Sequence, residues 1–143
     1  MTVKSILAEK GRDVVTLAPG ATIETAVQTL AAKKIGALVI SADGSSIDGI
    51  LSERDVVRMI AALGAAALEQ PISAAMTAKV LTCTESSTVN EVMEIMTNGR
   101  FRHLPVSDNG ALAGIISIGD VDKRRIHEVE AEADNIRAYI AAV

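Results

Sequence analysis

Aromatic residues are nearly missing from this sequence: it contains Phe101, Tyr139 and no tryptophan. Proteins that bind nucleic acids stack bases on aromatic rings and carry an excess of basic residues. This chain instead has 14 basic and 18 acidic residues, a net charge of −4. Both observations argue against an RNA-binding or DNA-binding protein. Hydrophobic residues still make up 49% of the 143 residues, so we expect an aliphatic core.

Cysteine occurs once, as Cys83, which excludes an internal disulfide. No apolar run is long enough to span a bilayer, and the start of the chain has no apolar signal-peptide segment. We therefore expect a soluble cytoplasmic protein with no membrane attachment.

The chain reads as a tandem duplication. Shifting the sequence against itself by about 66 residues aligns Val14 with Val80 and Thr16 with Thr82. Each copy has the pattern of a strand, a helix, two strands and a second helix. A single copy could not bury its apolar sheet face. We therefore predict an α/β (α+β) fold in which two β-α-β-β-α repeats pack sheet to sheet, with outer helices and a long C-terminal helix. The predicted divisions are 1–66 for the first repeat with its lead-in, 67–126 for a connector and the second repeat, and 127–143 for a C-terminal extension.

Local signals place several elements. Thr88 is the predicted N-cap of a helix, and Asn98 and Gly99 are predicted to end this helix. The segments HLPVS and LAGIIS flank Asp108, Asn109 and Gly110 and indicate a hairpin. PISAAM, in the connector, is a candidate short helix. Cys83 aligns with Leu17 in the first strand, which favours a buried apolar thiol over a redox role.

One motif occurs twice, as GILSERD and as GIISIGD. The simplest interpretation is a capping box, in which the serine and aspartate side chains bind backbone amides at a helix start. A functional interpretation also fits. A helix N-terminus beside a hydroxyl can hold an anion, and a carboxylate one turn into the helix can accept hydrogen bonds from a diol.

The duplicated order and this motif closely resemble the CBS domain family, whose paired domains form a Bateman module. The resemblance covers about residues 5 to 126, and FRHLPV followed by GIISIGDV is its more specific part. It implies that adenine nucleotides bind in clefts between the paired domains. The motif serine would lie near phosphate, the aspartate would bind the ribose hydroxyls, and the adenine would lie between the first and second strands of the same repeat.

Carried over by position, the resemblance implies a nearly complete site in the second repeat, composed of Val80, Thr82, Arg102, His103, Ser117 and Asp120. Lys123, one turn beyond the aspartate, could reach a polyphosphate. In the first repeat the matching residues are Thr16, Ser52 and Asp55, with Arg54 as an added cation. Gly36 and Ala37 stand where the second repeat has Arg102 and His103, and Val39 replaces Pro105. The first cleft is therefore the less complete one.

Catalytic and metal sites are disfavoured. Ser117, His103 and Asp120 could suggest a hydrolytic triad, but the serine lacks the G-x-S-x-G elbow. His103 and His127 have no cysteine partner at ligand spacing, so no metal is predicted.

The tail from Ile118 to Val143 reads as one helix with an apolar stripe. Packing of the stripe on its own domain and pairing with a partner helix both remain open, and the resemblance implies a homodimer. The stripe consists of Ile126, Val129, Ala133, Ile136 and Ile140.

We thus predict a non-catalytic, stand-alone regulatory module that senses an adenine nucleotide. AMP is the first candidate, with ATP, ADP, NAD(H) or S-adenosylmethionine open. The alternatives are an adaptor for an unknown protein target, with vestigial clefts, or, less favoured, an RNA-binding protein.

Overall fold

The structure, a computed structural model, describes residues 1–142, and Val143 lies outside the described residues. Within that range the chain forms helices and strands in an order that contains two related halves. They are α1 (Val3–Lys10), β1 (Thr16–Leu17), α2 (Ile23–Lys33), β2 (Ala37–Ile40), β3 (Gly49–Ser52), α3 (Glu53–Leu63), α4 (Val89–Gly99), β4 (His103–Asp108), β5 (Ala111–Ser117) and α5 (Ile118–Ala142).

The first repeat has a three-stranded sheet in the order β1-β2-β3. Strand β1 is parallel to β2, and β2 is antiparallel to β3. Helix α2 begins after Thr22, whose side chain accepts a hydrogen bond from the amide of Thr25. The helix buries Ile23, Ala26 and Leu30 against the inner face of the sheet, forming one hydrophobic core.

The second repeat contains the predicted hairpin and the predicted helix. Asn109 and Gly110 connect β4 to β5, both with positive φ, at 51° and 84°, as a tight two-residue turn requires. Thr88 caps α4 by accepting from the amide of Glu91 at 3.1 Å, which confirms its predicted role. The helix ends at Gly99, as predicted, but the left-handed residue that follows is Arg100.

The sequence predicted a strand at the start of the second repeat, and this prediction is wrong. Only one residue, Cys83, pairs with the sheet there. Cys83 lies parallel to Val106, and its amide donates to the carbonyl of Pro105 at 3.0 Å. The preceding residues, including Val80 and Leu81, line a cleft instead of joining the sheet. The sheet of the second repeat is therefore the β4-β5 pair.

Each repeat is completed by the segment that leads into the other repeat. Helix α1 precedes the first repeat, yet it packs into the core of the second through Val3, Ile6 and Leu7. The connector contains two short 3₁₀ helices, 64–69 and 72–74, and the second lies in the predicted PISAAM segment. Ile72 of this connector is buried in the core of the first repeat.

The outer faces of the two sheets meet at a seam. Ala37 and Val39 of β2 are buried although they belong to neither hydrophobic core, and Pro105 of β4 is buried as well. A Cβ atom on Gly36 would lie 3.2 Å from Cε1 of His103, so the glycine leaves room for this ring. The amide of Leu112 also donates to the carbonyl of Ser45, in the first repeat, at 2.7 Å. The fold class predicted from the sequence is confirmed.

Helix α5 follows the prediction for the tail over the described residues, and its start packs in the second repeat through Val121. Its apolar stripe does not pack on the chain. Ile126, Val129, Ile136 and Ile140 are between 57% and 66% exposed. The alternative in which the tail packs on its own domain is therefore wrong for these residues, because α5 extends beyond the repeats.

Candidate functional site

Both copies of the repeated motif fold as capping boxes. In the first copy, Ser52 donates its amide to the Asp55 carboxylate at 2.8 Å, and the Asp55 amide donates to the serine hydroxyl at 3.4 Å. In the second copy, the corresponding distances for Ser117 and Asp120 are 2.8 Å and 3.2 Å. The capping interpretation is confirmed for both copies, so any difference between them must come from their surroundings.

The first motif faces a cleft with a volume of about 490 Å³. This volume lies within the range of about 300–1,000 Å³ typical of small-molecule sites. Its walls come from both repeats, because the start of α3 faces the connector and the residues before β4. The lining includes Ser52, Arg54, Asp55, Val80, Arg102 and His103.

This cleft is cationic, although the whole chain is acidic. Its charged lining comprises two carboxylates, Glu53 and Asp55, and five cations: Arg54, Arg58, Lys79, Arg100 and Arg102. Clefts with one sign of charge concentrate oppositely charged ligands. The arrangement favours an anion that also presents hydrogen-bond donors to a carboxylate.

His103 contributes an uncharged ring to the cleft. Burial lowers its pKa, and the charge of Lys10 lowers it further, so the imidazole is neutral at pH 7. A neutral imidazole still has one N–H donor for a phosphate oxygen. The ring also contacts the seam at Gly36.

The second motif has a different environment. Nζ of Lys10, the last residue of α1, lies 2.6 Å from Oδ2 of Asp120 and donates to the carbonyl of Ile115 at 2.9 Å. Burial of the Asp120 carboxyl opposes its ionisation, but the hydrogen bonds from Lys10 and Ser117 outweigh this effect and lower its pKa. The cavity beside Asp120 measures only about 180 Å³.

The cations around this small cavity are paired. Glu9 lies 3.9 Å from Lys123 and 3.3 Å from Arg124. Lys123, expected to reach a polyphosphate, therefore pairs with α1 in this structure. Three cations thus face two carboxylates around this cavity, a smaller cationic excess than the five cations and two carboxylates of the larger cleft.

The structure groups the candidate residues differently from the sequence-based expectation. Arg102 and His103 were assigned to the same site as Ser117 and Asp120, yet with Val80 they line the cleft of the first motif. The reason is that these residues project across the seam towards the opposite repeat. Thr16, in β1, and Thr82, which is exposed, line neither described cleft.

Several lining residues were missed in the sequence. Arg58 lies one helical turn beyond Arg54, and this i, i+4 spacing on α3 was a readable signal for a shared face. Lys79, Arg100 and Phe101 come from the connector and from the turn before β4, and only the folded seam brings them to the cleft.

The other site classes considered from the sequence find no geometric support in residues 1–142. Ser117 and His103 are cross-strand neighbours, but the serine hydroxyl accepts from the Asp120 amide and Asp120 pairs with Lys10. No group of three or more metal-ligating side chains occurs among these residues. Over the same range, no helix has the length and hydropathy that a membrane crossing requires.

A duplicated α+β module with a ligand-sized cleft at its seam is the class of protein that this geometry defines. The family model described as CBS domain matches the chain twice, at residues 3–62 and 72–126. The chain therefore belongs to the CBS domain family, as the resemblance of its motifs predicted.

Solved structures and curated relatives agree with this assignment. A CBS-domain-containing protein from Agrobacterium tumefaciens is 56% identical, with a TM-score of 0.83, and the match covers 87% of this chain and 92% of that one. A CBS domain protein from Pyrobaculum aerophilum, solved in complex with AMP, is 27% identical with a TM-score of 0.74, over 84% and 89% of the two chains.

A curated relative, the mitochondrial CBS domain-containing protein CBSX3 of Arabidopsis thaliana, is 34% identical over 123 residues. The match covers 83% of this chain and 60% of CBSX3. Another Arabidopsis relative, CBSCBSPB3, is matched over only 25% of its length. The chain thus spans less than two thirds of these curated relatives.

Proposed function

We propose that the protein is a regulatory module that binds an adenine nucleotide, AMP in the first instance, in the cleft of the first motif. In this proposal Asp55 binds the ribose hydroxyls, and Ser52, Arg102 and His103 bind the phosphate. The protein performs no catalysis of its own. A cytoplasmic location stays a prediction from the sequence.

The observation that carries the proposal is the convergence of both repeats on one cleft. Ser52 and Asp55 come from the first repeat, whereas Arg102 and His103 come from the second. A ligand held by all four would bridge the repeats. Its binding would favour one arrangement of the seam, which is how a ligand concentration becomes a change of conformation.

The chemistry of the cleft matches a nucleotide in three respects. Five cations attract a phosphate, and within residues 1–142 no cation pairs with Asp55, so its carboxylate is available to a diol. Val80, Leu81 and Phe101 supply apolar surface for a base. The AMP complex of the Pyrobaculum protein supports the same ligand class here.

The test is calorimetric titration of nucleotide-free protein with AMP, ATP and NADH, comparing the wild type with Asp55→Ala and Asp120→Ala. The two variants are matched controls, because each removes the same helix-capping carboxylate from one copy of the motif. We expect Asp120→Ala to bind as the wild type does. We expect Asp55→Ala to lose at least about tenfold in affinity, since a hydrogen bond to a charged group contributes about 1.5–3 kcal/mol.

Loss of binding in Asp120→Ala with retention in Asp55→Ala would place the site in the second repeat and overturn this assignment. If no adenine compound binds the wild type at millimolar concentration, the clefts are vestigial. The protein is then the adaptor considered from the sequence.

We further propose that the module is a homodimer that buries the exposed stripe of α5 against a second copy. Four large aliphatic side chains repeat along one side of this helix at intervals of three, four and seven residues, and all are exposed in the single chain. Such a stripe is typical of a helix that pairs with another helix.

A further inference from the structure

The lead-in segments of the two repeats are related, but they end differently beside the two motifs. Thr2 forms an isolated bridge with Thr88, the N-cap of α4, and Pro71 forms the equivalent bridge with Thr22, the N-cap of α2. From these matching points the connector forms the short 3₁₀ helix 72–74 and then a bridge between Thr77 and Ile50, whereas the first lead-in continues as α1 to Lys10. Beside the first motif the connector is therefore bound to β3 through its backbone at Thr77, whereas beside the second motif the end of helix α1 takes this place.

The equivalent contacts show what this difference does. In the first repeat, the carbonyl of Ile50 accepts a hydrogen bond from the Thr77 amide at 2.9 Å, and the cleft beside Asp55 stays open. In the second repeat, the carbonyl of Ile115, at the matching place in its strand, accepts from Nζ of Lys10 at 2.9 Å. The same ammonium group then reaches Asp120 at 2.6 Å.

Helix α1 is held firmly in this position. Val3, Ile6 and Leu7 are buried in the second core, and a Cβ atom on Gly114 would lie only 2.8 Å from Cδ2 of Leu7. The amides of Val3 and Lys4 donate to the carbonyls of Ser87 and Glu85, each at 2.9 Å. Lys10 is therefore presented to Asp120 by a fixed helix rather than by a mobile tail.

We propose that Lys10 is a built-in competitor for the second motif: its ammonium group occupies Asp120 in place of a ligand diol, and the end of α1 closes the second cleft. The chain then binds one nucleotide, although its duplication supplies two copies of the motif. The inference rests on the proposed function, since it assigns nucleotide binding to the first motif. It adds that the second site is latent and can be opened.

The energetic basis is intramolecular competition. A ligand at the second cleft gains access only in the fraction of molecules in which Lys10 has left Asp120, so its apparent affinity falls by that fraction. Because the ion pair is charge-assisted and tethered to α1, it lowers this fraction.

The test is calorimetric titration with AMP of the wild type, Lys10→Met, Asp55→Ala and the double variant Lys10→Met/Asp55→Ala. Methionine keeps the apolar part of the side chain and removes the charge. We expect one site per chain in the wild type and two in Lys10→Met. We expect only a first site weakened at least about tenfold in Asp55→Ala, and that weakened site together with one newly opened site in the double variant. Lys10→Arg and Lys4→Met are the controls: the first keeps a cation beside Asp120, and the second removes an exposed lysine elsewhere on α1, so both should bind one AMP.

The outcomes separate this inference from the proposed function. One site in both the wild type and Lys10→Met overturns the role of Lys10 and leaves the first cleft intact, and two sites in the wild type also overturn that role. No site in the wild type but one in Lys10→Met overturns the assignment to Asp55 and supports the competitor. Absence of binding in both proteins overturns both proposals.

Discussion

Cys83 illustrates how packing alone sets the chemistry of a residue. It is 4% exposed in the second core, and its Sγ atom lies 3.8 Å from the carbonyl oxygen of Pro105. Burial raises the pKa of the thiol to about 11, so almost no thiolate is present at neutral pH. This confirms the buried apolar thiol predicted from its alignment with Leu17.

We predict that iodoacetamide at pH 8 labels Cys83 in the folded protein at least about 100-fold more slowly than in urea, because the thiolate is the reacting species. Mass spectrometry of timed samples measures both rates. A second measurement with AMP present shows whether ligand binding changes the exposure of the core. Equal rates in folded and unfolded protein would contradict the burial of this thiol.

At the scale of single elements, α5 is exposed to solvent along its apolar stripe. Isoleucine buried from water contributes about 1.5–3 kcal/mol. We predict that Ile136→Glu weakens the proposed homodimer by at least about 100-fold, because each dimer loses two such contacts. Sedimentation velocity over a range of concentrations measures the change.

Ala131→Glu is the matched control for this experiment. It places the same charge on the same helix, at an exposed position away from the stripe. We expect it to sediment as the wild type does. A wild type that is monomeric at about 100 μM, or an Ile136→Glu variant that remains dimeric, would exclude pairing through α5.

The elements that could be predicted from the sequence are those fixed by local chemistry. Asn109 and Gly110 favour a tight turn wherever they occur between strands, and Thr88 caps α4 through a contact three residues away. Helix α1 was not predicted. It has eight residues and no side-chain cap at Thr2, so its stability comes from burial in a distant part of the chain.

At the scale of the whole molecule, the seam between the repeats depends on the absence of a side chain at Gly36. A Cβ atom there would lie 3.2 Å from both Cε1 of His103 and Oε1 of Glu53. We predict that Gly36→Val lowers the free energy of unfolding by about 1–3 kcal/mol through overpacking and weakens AMP binding. Urea denaturation and calorimetry measure the two effects.

Gly20→Val is the control for this variant, since a Cβ atom at Gly20 has no neighbour within 4 Å among the described residues. It should change stability by less than about 1 kcal/mol and leave binding unchanged. Equal effects of the two substitutions would contradict the close contact at the seam.

The candidate site could be predicted only in part, because its residues come from both repeats of the folded molecule. The motif serines and aspartates follow from the repeated sequence, and their capping geometry is local. The partners of each motif come from the opposite repeat, so alignment of the copies grouped Arg102 and His103 with Asp120 rather than with Asp55. Lys10 lay outside the repeated pattern, and only tertiary structure brings it to Asp120.

The exchange of lead-in segments has a consequence for how the chain can be divided. Cut after residue 66, the N-terminal piece would keep α1 but lose Ile72 from its own core, and the C-terminal piece would lose Val3, Ile6 and Leu7 from its core. Neither piece would be an independent folding unit, so the two repeats unfold as one cooperative system. Two copies of a single repeat carrying its own lead-in would restore the same contacts by domain swapping, and the duplicated chain makes that exchange within one polypeptide.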